Sequence, residues 1–321
     1  MNSSSTPSQS IMARLGLWHQ NRQAKKQLVE HVVKTVEPKI RLARGYQEKL
    51  EKPIQTCLEH CKAMVAGIPG PVHLKQMDYD ADPLIHAAFI GSVGIENLLL
   101  EQDTTLISPI PSEPDRYALL TMTHDETTIF GSKMHEDIIL SDVSMQAVTF
   151  TDHKIVGLST TLESSQDKIE ELCFQMILEA VSREFAAKRT NLSELHEHLE
   201  RLHAMSHMFS DGNHAKNYFG HSSHEDLEKL NKVEQMLQES EDEYVHAREG
   251  NETPEEWLAV LIDHLNIPEK IMHVDRITLR LDWKNVLTDD PGEKANILTL
   301  AQCSLADEMK RDAVLISYST G

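Results

Sequence analysis

Four polar residues on one predicted helix have the types and the spacing of a metal site. His196, Glu200, His203 and His207 follow one another at steps of four, three and four residues, so they share one helix face. Imidazole and carboxylate groups together suit zinc, iron, nickel or copper. The stripe is therefore a candidate site for a divalent transition metal, in an enzyme or in a metal-binding protein. The alternative is a solvated helix flank that responds to pH, because imidazole titrates near about 6.5.

The sequence around this stripe is rich in histidine, but this enrichment does not by itself indicate a metal site. Seven of the eighteen histidines lie within residues 196–224, where an even distribution would place roughly two. Glu200 and His203 also form a Glu-x-x-His pair, which di-iron helix bundles use, and Glu243 with His246 repeats it. Composition alone predicts about two such pairs by chance. The pair by itself therefore does not identify a metal enzyme.

Cys57 and Cys61 form a second group of possible metal ligands. Four residues apart on a helix, their sulfurs share one face and could hold copper(I) or zinc. Both also lie on an apolar seam, where a buried cysteine acts as a small hydrophobic side chain, and we favour packing. With Cys173 and Cys303 the chain has four cysteines, too few and too scattered for a disulfide framework. Such usage indicates a reducing cytosol.

Acidic residues stand beside histidines at the ends of predicted strands, as in His124–Asp125 and Asp152–His153. A carboxylate near an imidazole can orient it as a general base or a metal ligand. Polar residues also collect in turns, and neighbouring strand residues point to opposite faces. No nucleophile motif such as G-x-S-x-G accompanies them. We therefore interpret these pairs as turn residues.

Charge is distributed unevenly along the chain. The whole chain carries −20, yet residues 1–50 carry +6 and residues 225–257 carry −9. This polarity favours contact between the basic arm and an acidic surface, within or between chains. The alternatives for the arm are binding to a membrane surface or a solvated basic face on a packed helix. The candidate contact residues are Arg14, Trp18, Arg22, Lys25 and Lys26.

Bulk properties exclude several classes of protein. A net charge of −20 would repel the phosphates of duplex nucleic acid. No apolar run approaches the roughly 18 to 20 residues that cross a bilayer, so we expect a cytoplasmic protein. No phosphate-cradling glycine loop or dinucleotide fingerprint is present. An enzymatic activity is therefore not indicated, and no small-molecule substrate is suggested.

The elements that would position these residues predict an α+β fold. Long amphipathic helices, as a helical hairpin or coiled-coil stalk, are expected with two small antiparallel β units. The expected segments are a disordered tip at 1–10, a basic helical arm at 11–67, a β-rich α+β unit at 71–160, a helical hairpin at 161–248 with a His-rich loop at 210–224, and a C-terminal α+β unit at 250–321.

Local signals place individual elements within these segments. Residues 124–126 are predicted to form a hairpin turn between two strands. Thr253, Pro254 and Glu256 combine an N-cap, a proline at the first helical position and a capping-box acid. Three C-terminal strands are expected at 277–283, 296–305 and 313–319. The sequence does not determine whether they join the earlier strands.

These observations favour a non-catalytic cytosolic assembly or adaptor protein. It would associate with itself or another protein through its amphipathic helices, with the basic arm contacting an acidic surface. The first alternative is a metal-dependent enzyme or metal-binding protein that uses the histidine stripe. The second is a peripheral membrane-binding protein that uses the basic N-terminal helix.

Overall fold

The protein is described by a computed structural model. The described residues are 22–74, 82–89, 98, 115–135, 138–219, 224–249, 253–288, 295–306 and 309–318, with no side chains described at 133–140 and 209–227. The chain divides into two compact units, each assembled from non-consecutive stretches. We call them the sheet unit (Met1–Lys25, Ile54–Ile177 and Leu265–Gly321) and the helical unit (Lys26–Pro53 and Leu178–His264). The division predicted from the sequence used only consecutive stretches of the chain.

Six α-helices lie in the described residues. They are α1 (Arg22–Val36), α2 (Tyr46–Gly67), α3 (Pro83–Ala88), α4 (Leu162–Phe219), α5 (His224–Arg248) and α6 (Pro254–Asn266), with 3₁₀ helices at Pro38–Leu42 and Pro268–Lys270. The predicted capping box at Thr253 is confirmed, because Thr253 N donates to Glu256 at 3.0 Å and Glu256 N donates to Thr253 at 3.3 Å. Among these helices none is long and apolar enough to cross a membrane.

One sheet contains all six described strands. They are β1 (Val72–His73), β2 (Arg116–His135), β3 (Ile138–Ser159), β4 (Met272–Leu281), β5 (Asn296–Leu305) and β6 (Met309–Tyr318). Their order is β3-β2-β6-β5-β4 with antiparallel neighbours, and β1 adds to β6 in parallel. Strand β6 pairs with β2 only from Arg116 to Met122. Beyond that point β2 and β3 form a two-stranded ribbon.

A short segment joins the two edge strands of this sheet. On one side Val148 N donates to Asn285 O, and Leu287 N donates to Gln146 O, both at 2.8 Å. On the other side Leu281 of β4 bridges to Leu287. Residues 285–287 thus satisfy backbone groups that edge strands would otherwise leave unpaired.

Both faces of the sheet are covered by apolar side chains within the sheet unit. The first face carries Leu120, Val314 and Leu300, which belong to one buried cluster with α3. The second face meets α2 and the start of α4, as shown by His60 Nε2 lying 2.8 Å from Met272 O. Gly157, at φ 69°, lets β3 approach α4, because a Cβ there would lie 2.7 Å from Ile169.

The helical unit is packed from α1, the first 3₁₀ helix, the remainder of α4, α5 and α6. Aromatic rings of Phe185 and Trp257 lie 4.8 Å apart between α4 and α6. His264 Nε2 lies 3.2 Å from Glu184, which links the same two helices again. The apolar side of α1 is buried, because its branched side chains recur at helical spacing.

The expected fold class is wrong in two respects. Strand β2 pairs with β6, so the two predicted β units form one larger sheet. In the described residues no long coiled-coil stalk is evident. Between residues 186 and 208, α4 buries only Leu199 and Leu202, fewer side chains than a continuous heptad seam requires.

Two local predictions also differ from the structure. Helix α4 continues through Phe219, so the first part of the expected loop at 210–224 is helical. The expected turn at 124–126 lies in the middle of β2, whose residues pair with β3 as far as His135. That prediction was wrong because a ribbon exposed on both faces carries polar residues within its strands, as a turn does.

Candidate interaction surfaces

The histidine stripe lies on the outer surface of α4. His196 and Glu200 are exposed, with Nε2 and Oε1 3.4 Å apart. The ring of His196 also lies 5.9 Å from the ring of Tyr244 on α5. His207 is exposed, two residues before the part of α4 whose side chains are not described. These residues share a helix flank, as predicted from their spacing.

The remaining histidine of the stripe, His203, also lies beside α5. Its Nε2 lies 3.6 Å from Glu241 of α5, and both side chains are about half exposed. Across the described residues, no group of three or more His, Cys, Asp or Glu side chains is placed to hold a metal ion. The stripe contributes contacts between α4 and α5 in this structure.

Cys57 and Cys61 are fully buried on α2. The hydrogen bond with the Cys57 thiol raises the pKa of Cys61 far above its usual range, and burial acts in the same direction. Only a thiolate attacks electrophiles or binds metals well. Both side chains are buried on α2, where a cysteine packs as a small hydrophobic residue.

The other two cysteines lie in the same region of the sheet unit, which their sequence spacing did not indicate. Burial raises the pKa of Cys173 far above its usual range, and the neighbouring thiols of Cys61 and Cys303 add to this. Burial, helped by the charge of Asp312, raises the pKa of Cys303 to about 11. All four thiols are free, and the raised pKa values keep Cys61, Cys173 and Cys303 protonated at neutral pH.

The basic arm is only partly within the described residues. Arg14 and Trp18 lie outside them, as does the expected tip at 1–10. Arg22 and Lys26 are exposed at the start of α1, and Lys25 is partly buried. The described part of the arm is thus a packed helix with a solvated basic side.

A basic surface surrounds an exposed leucine just after α1. Leu42, at the end of the first 3₁₀ helix, is 76% exposed. Lys39, Arg41 and Arg44 beside it are also exposed. A 3₁₀ helix turns every three residues, so Ile40 points into the core while its neighbours point outward. We call Leu42 with these three cations the basic collar.

Buried and half-buried acids hold the basic collar in place. Glu37 is 1% exposed; it accepts from Lys39 N at 3.1 Å and from Arg189 at 2.7 Å. Arg41 donates to Glu30 at 3.0 Å. A hydrogen bond from Tyr46 holds the pKa of Glu30 below its usual range. These contacts give the collar a rigid base on α1 and α4.

An acidic surface surrounds an exposed valine near the end of α5. Val245 is 58% exposed. Glu241 and Asp242 precede it by one helical turn, and Glu249 follows by one turn, so they share its face. Asp242 and Glu249 are exposed, while Glu241 is partly buried beside His203. We call Val245 with these three acids the acidic collar.

The most buried polar pair of the sheet unit was not predicted from the sequence. His124 Nδ1 contacts Asp312 Oδ2 across β2 and β6, and Asp312 is 1% exposed. Burial raises the pKa of Asp312, although His124 and then Gln302 act to lower it. The Phe150 ring faces the imidazole from β3. The only sequence signal was an aspartate at the start of an apolar strand.

A second ion pair lies next to it. Arg311 donates to the Asp152 carboxylate at 2.6 Å, and this hydrogen bond holds the pKa of Asp152 below its usual range. Because Arg311 and Asp312 are consecutive on β6, one binds β3 and the other binds β2 where the ribbon leaves the sheet. A carboxylate can orient an imidazole for proton transfer. Here the two pairs join three strands, which is a structural role.

Comparison with known proteins adds no relative to this description. The sequence matches no family model, and neither the curated proteins nor the solved structures contain a significant match.

Proposed function

We propose that this protein is a non-catalytic cytosolic assembly or adaptor protein that associates with itself through its helices. The observation that supports the proposal is the small buried area of α4 and α5. Over residues 186–208 only Leu199 and Leu202 of α4 are buried. In the part of α5 with described side chains, only Val233 and Ser240 are buried.

Apolar side chains remain exposed on these same helices. Met205 and Met208 on α4 and Met236 and Val245 on α5 are at least 40% exposed. Most helical stability in water comes from packing of one apolar face rather than from the helix itself. A second copy that covers such side chains would supply packing that the single chain lacks. Methionine suits such a contact because its flexible side chain adapts to different partners.

The proposal predicts reversible association that depends on protein concentration. Sedimentation velocity on the full chain, from about 1 to about 100 μM, should show the weight-average mass rising above that of the monomer. The four exposed apolar residues of α4 and α5 would contribute by losing contact with water. A variant with Met205→Gln and Met208→Gln should associate more weakly, because it makes that surface polar.

The matched control is Met309→Gln, which changes an exposed methionine on β6 instead. It should associate like the wild type. A wild-type chain that stays monomeric over the whole range would overturn the proposal. Metal that copurifies with the untagged chain in stoichiometric amount, and is lost on His203→Ala, would favour the metal alternative instead.

A further inference from the structure

We infer that the basic collar of one copy docks on the acidic collar of a second copy, in a head-to-tail contact. This inference rests on the proposed self-association and names the surfaces that carry it. Each collar has one exposed aliphatic residue at its centre, Leu42 or Val245. Each centre is bordered by three charged side chains of one sign.

We assign the opposite collar of a second copy as the partner of each collar because their charges are complementary. Lys39, Arg41 and Arg44 equal in number, and oppose in sign, the carboxylates around Val245. Such bordering charges steer association and fix its orientation, while the desolvated centre contributes affinity. Arg248 and His246 lie within one helical turn of Val245, and with histidine neutral the acidic collar keeps a net negative charge.

Both collars are largely exposed in the single chain, although Arg41 is paired with Glu30, Glu241 with His203 and Glu249 with His246. The basic collar lies on a well-packed element, because Glu37 and the buried Ile40 hold the 3₁₀ helix in place. Ordering these side chains on binding therefore costs less than it would on a loop.

The geometry of the contact determines the kind of assembly. Two different surfaces meet, so each copy of a bound pair keeps one free collar, and the pair presents one free collar of each kind. A heterologous contact of this type builds rings if the rotation closes and open chains if it does not. A contact with two aliphatic centres is small, and small interfaces associate weakly. We expect association in the micromolar range, weakened by salt because both sets of charges are exposed.

The test uses two charge-reversal variants of the full chain. The first is Lys39→Glu with Arg44→Glu, and the second is Asp242→Lys with Glu249→Lys. Each alone should be monomeric by sedimentation velocity at concentrations where the wild type associates. An equimolar mixture should associate again, because the first variant keeps its acidic collar and the second keeps its basic collar.

Matched controls distinguish an effect of the collar residues on association from an effect of net charge. Lys232→Glu with Arg276→Glu makes the same change of charge as the first variant at exposed positions elsewhere. Glu234→Lys with Asp275→Lys does the same for the second. Both controls should associate like the wild type. Leu42→Ala, which keeps every charge, should weaken association at least about tenfold.

The outcomes distinguish this inference from the proposed function. If the wild type associates and both collar variants associate equally well, the collars are not the interface, while the proposed function stands. The same holds if the mixture of variants remains monomeric. If the wild type itself is monomeric at every concentration and salt, the proposed function fails. Circular dichroism of each variant confirms that loss of association is not loss of fold.

Discussion

At the scale of single residues, buried charges are the features that decide local stability in both units. Glu37 and Asp312 are each 1% exposed, and each keeps its carboxylate beside one cationic or ionisable group. A buried carboxylate without such a partner is costly, because desolvation is no longer offset. The two acids differ in their partners. Arginine is always charged, whereas the charge of histidine depends on pH.

Removing the arginine beside Glu37 should destabilise the helical unit. We expect Arg189→Ala to lower the free energy of unfolding by about 2 kcal/mol, at the low end for a broken buried pair because the Arg189 side chain is 45% exposed. Urea unfolding followed by circular dichroism measures this change. Adding Glu37→Gln to Arg189→Ala should recover part of the loss, since the unpaired charge is removed. A loss within about 0.5 kcal/mol of zero would show that the pair contributes little.

The Asp312 carboxyl should make the stability of the sheet unit depend on pH. Burial raises its pKa in the folded state, so the folded state binds the proton more tightly than the unfolded chain does. The stabilisation is therefore fully present below the unfolded pKa of about 3.9 and is lost as pH rises through the folded pKa. Asp312→Asn resembles the protonated form. Its stability relative to the wild type should rise from about pH 4 upward.

Urea unfolding at a series of pH values measures this difference. The matched control is Asp275→Asn, which removes an exposed carboxylate from β4 and should leave the pH profile of the wild type unchanged. Parallel profiles for Asp312→Asn and the wild type would contradict the expected effect.

At the scale of elements, the most consequential connection is the segment at 285–287 that joins β3 to β4. It begins at Asn285, which has φ 60° and donates from Nδ2 to Ala87 O at 3.1 Å. Asparagine tolerates this left-handed conformation better than most residues other than glycine. The residue therefore both starts the segment and ties it to α3.

Substitution at this position should separate backbone strain from the lost side-chain bond. Asn285→Val should cost about 2 kcal/mol or more, because a β-branched residue is strained at positive φ and the bond to Ala87 is lost. Asn285→Gly should cost less, because it relieves the strain and loses only the bond. Hydrogen exchange at the Val148 and Leu287 amides reports on the segment itself. Equal cost and equal protection in both variants would show that the segment is not held by this residue.

The ribbon of β2 and β3 is stabilised at the point where it leaves the sheet, beside β6. An isolated two-stranded hairpin is only marginally stable in water. Here the pairs His124–Asp312 and Arg311–Asp152 tie both strands to β6. Further along, Phe130 is 72% exposed, while Thr128 and Gln146 form a side-chain pair across the strands.

At the scale of the whole molecule, charge is the dominant organising property. A net charge of −20 opposes close approach of two copies at low salt, while the collars attract each other locally. The proposed contact is therefore limited by long-range repulsion as well as by its small apolar centre. Salt weakens both effects, and the expected weakening of association by salt means that the attraction between the collars is the larger of the two. At physiological salt, exposed charges interact appreciably only within about one Debye length, roughly 8 Å.

Local structure could be predicted from the sequence where one physical signal was sufficient. The capping box at Thr253 is confirmed, because it depends on side chains three residues apart. The strand predicted at 296–305 is confirmed as β5, although its burial alternates only over residues 297–300. The strand expected at 277–283 ends at Leu281 in the structure, and Trp283 is exposed instead.

The sequence by itself determined the types of most elements and the separation of charge along the chain. Only the tertiary structure decided that the two β regions share one sheet, since β-strand pairing depends on partners far apart in the chain and leaves no local mark. The same applies to the pair of His124 and Asp312, which are 188 residues apart. It applies also to Glu37 and Arg189, which are 152 residues apart. Such contacts form only when packing removes these groups from water together.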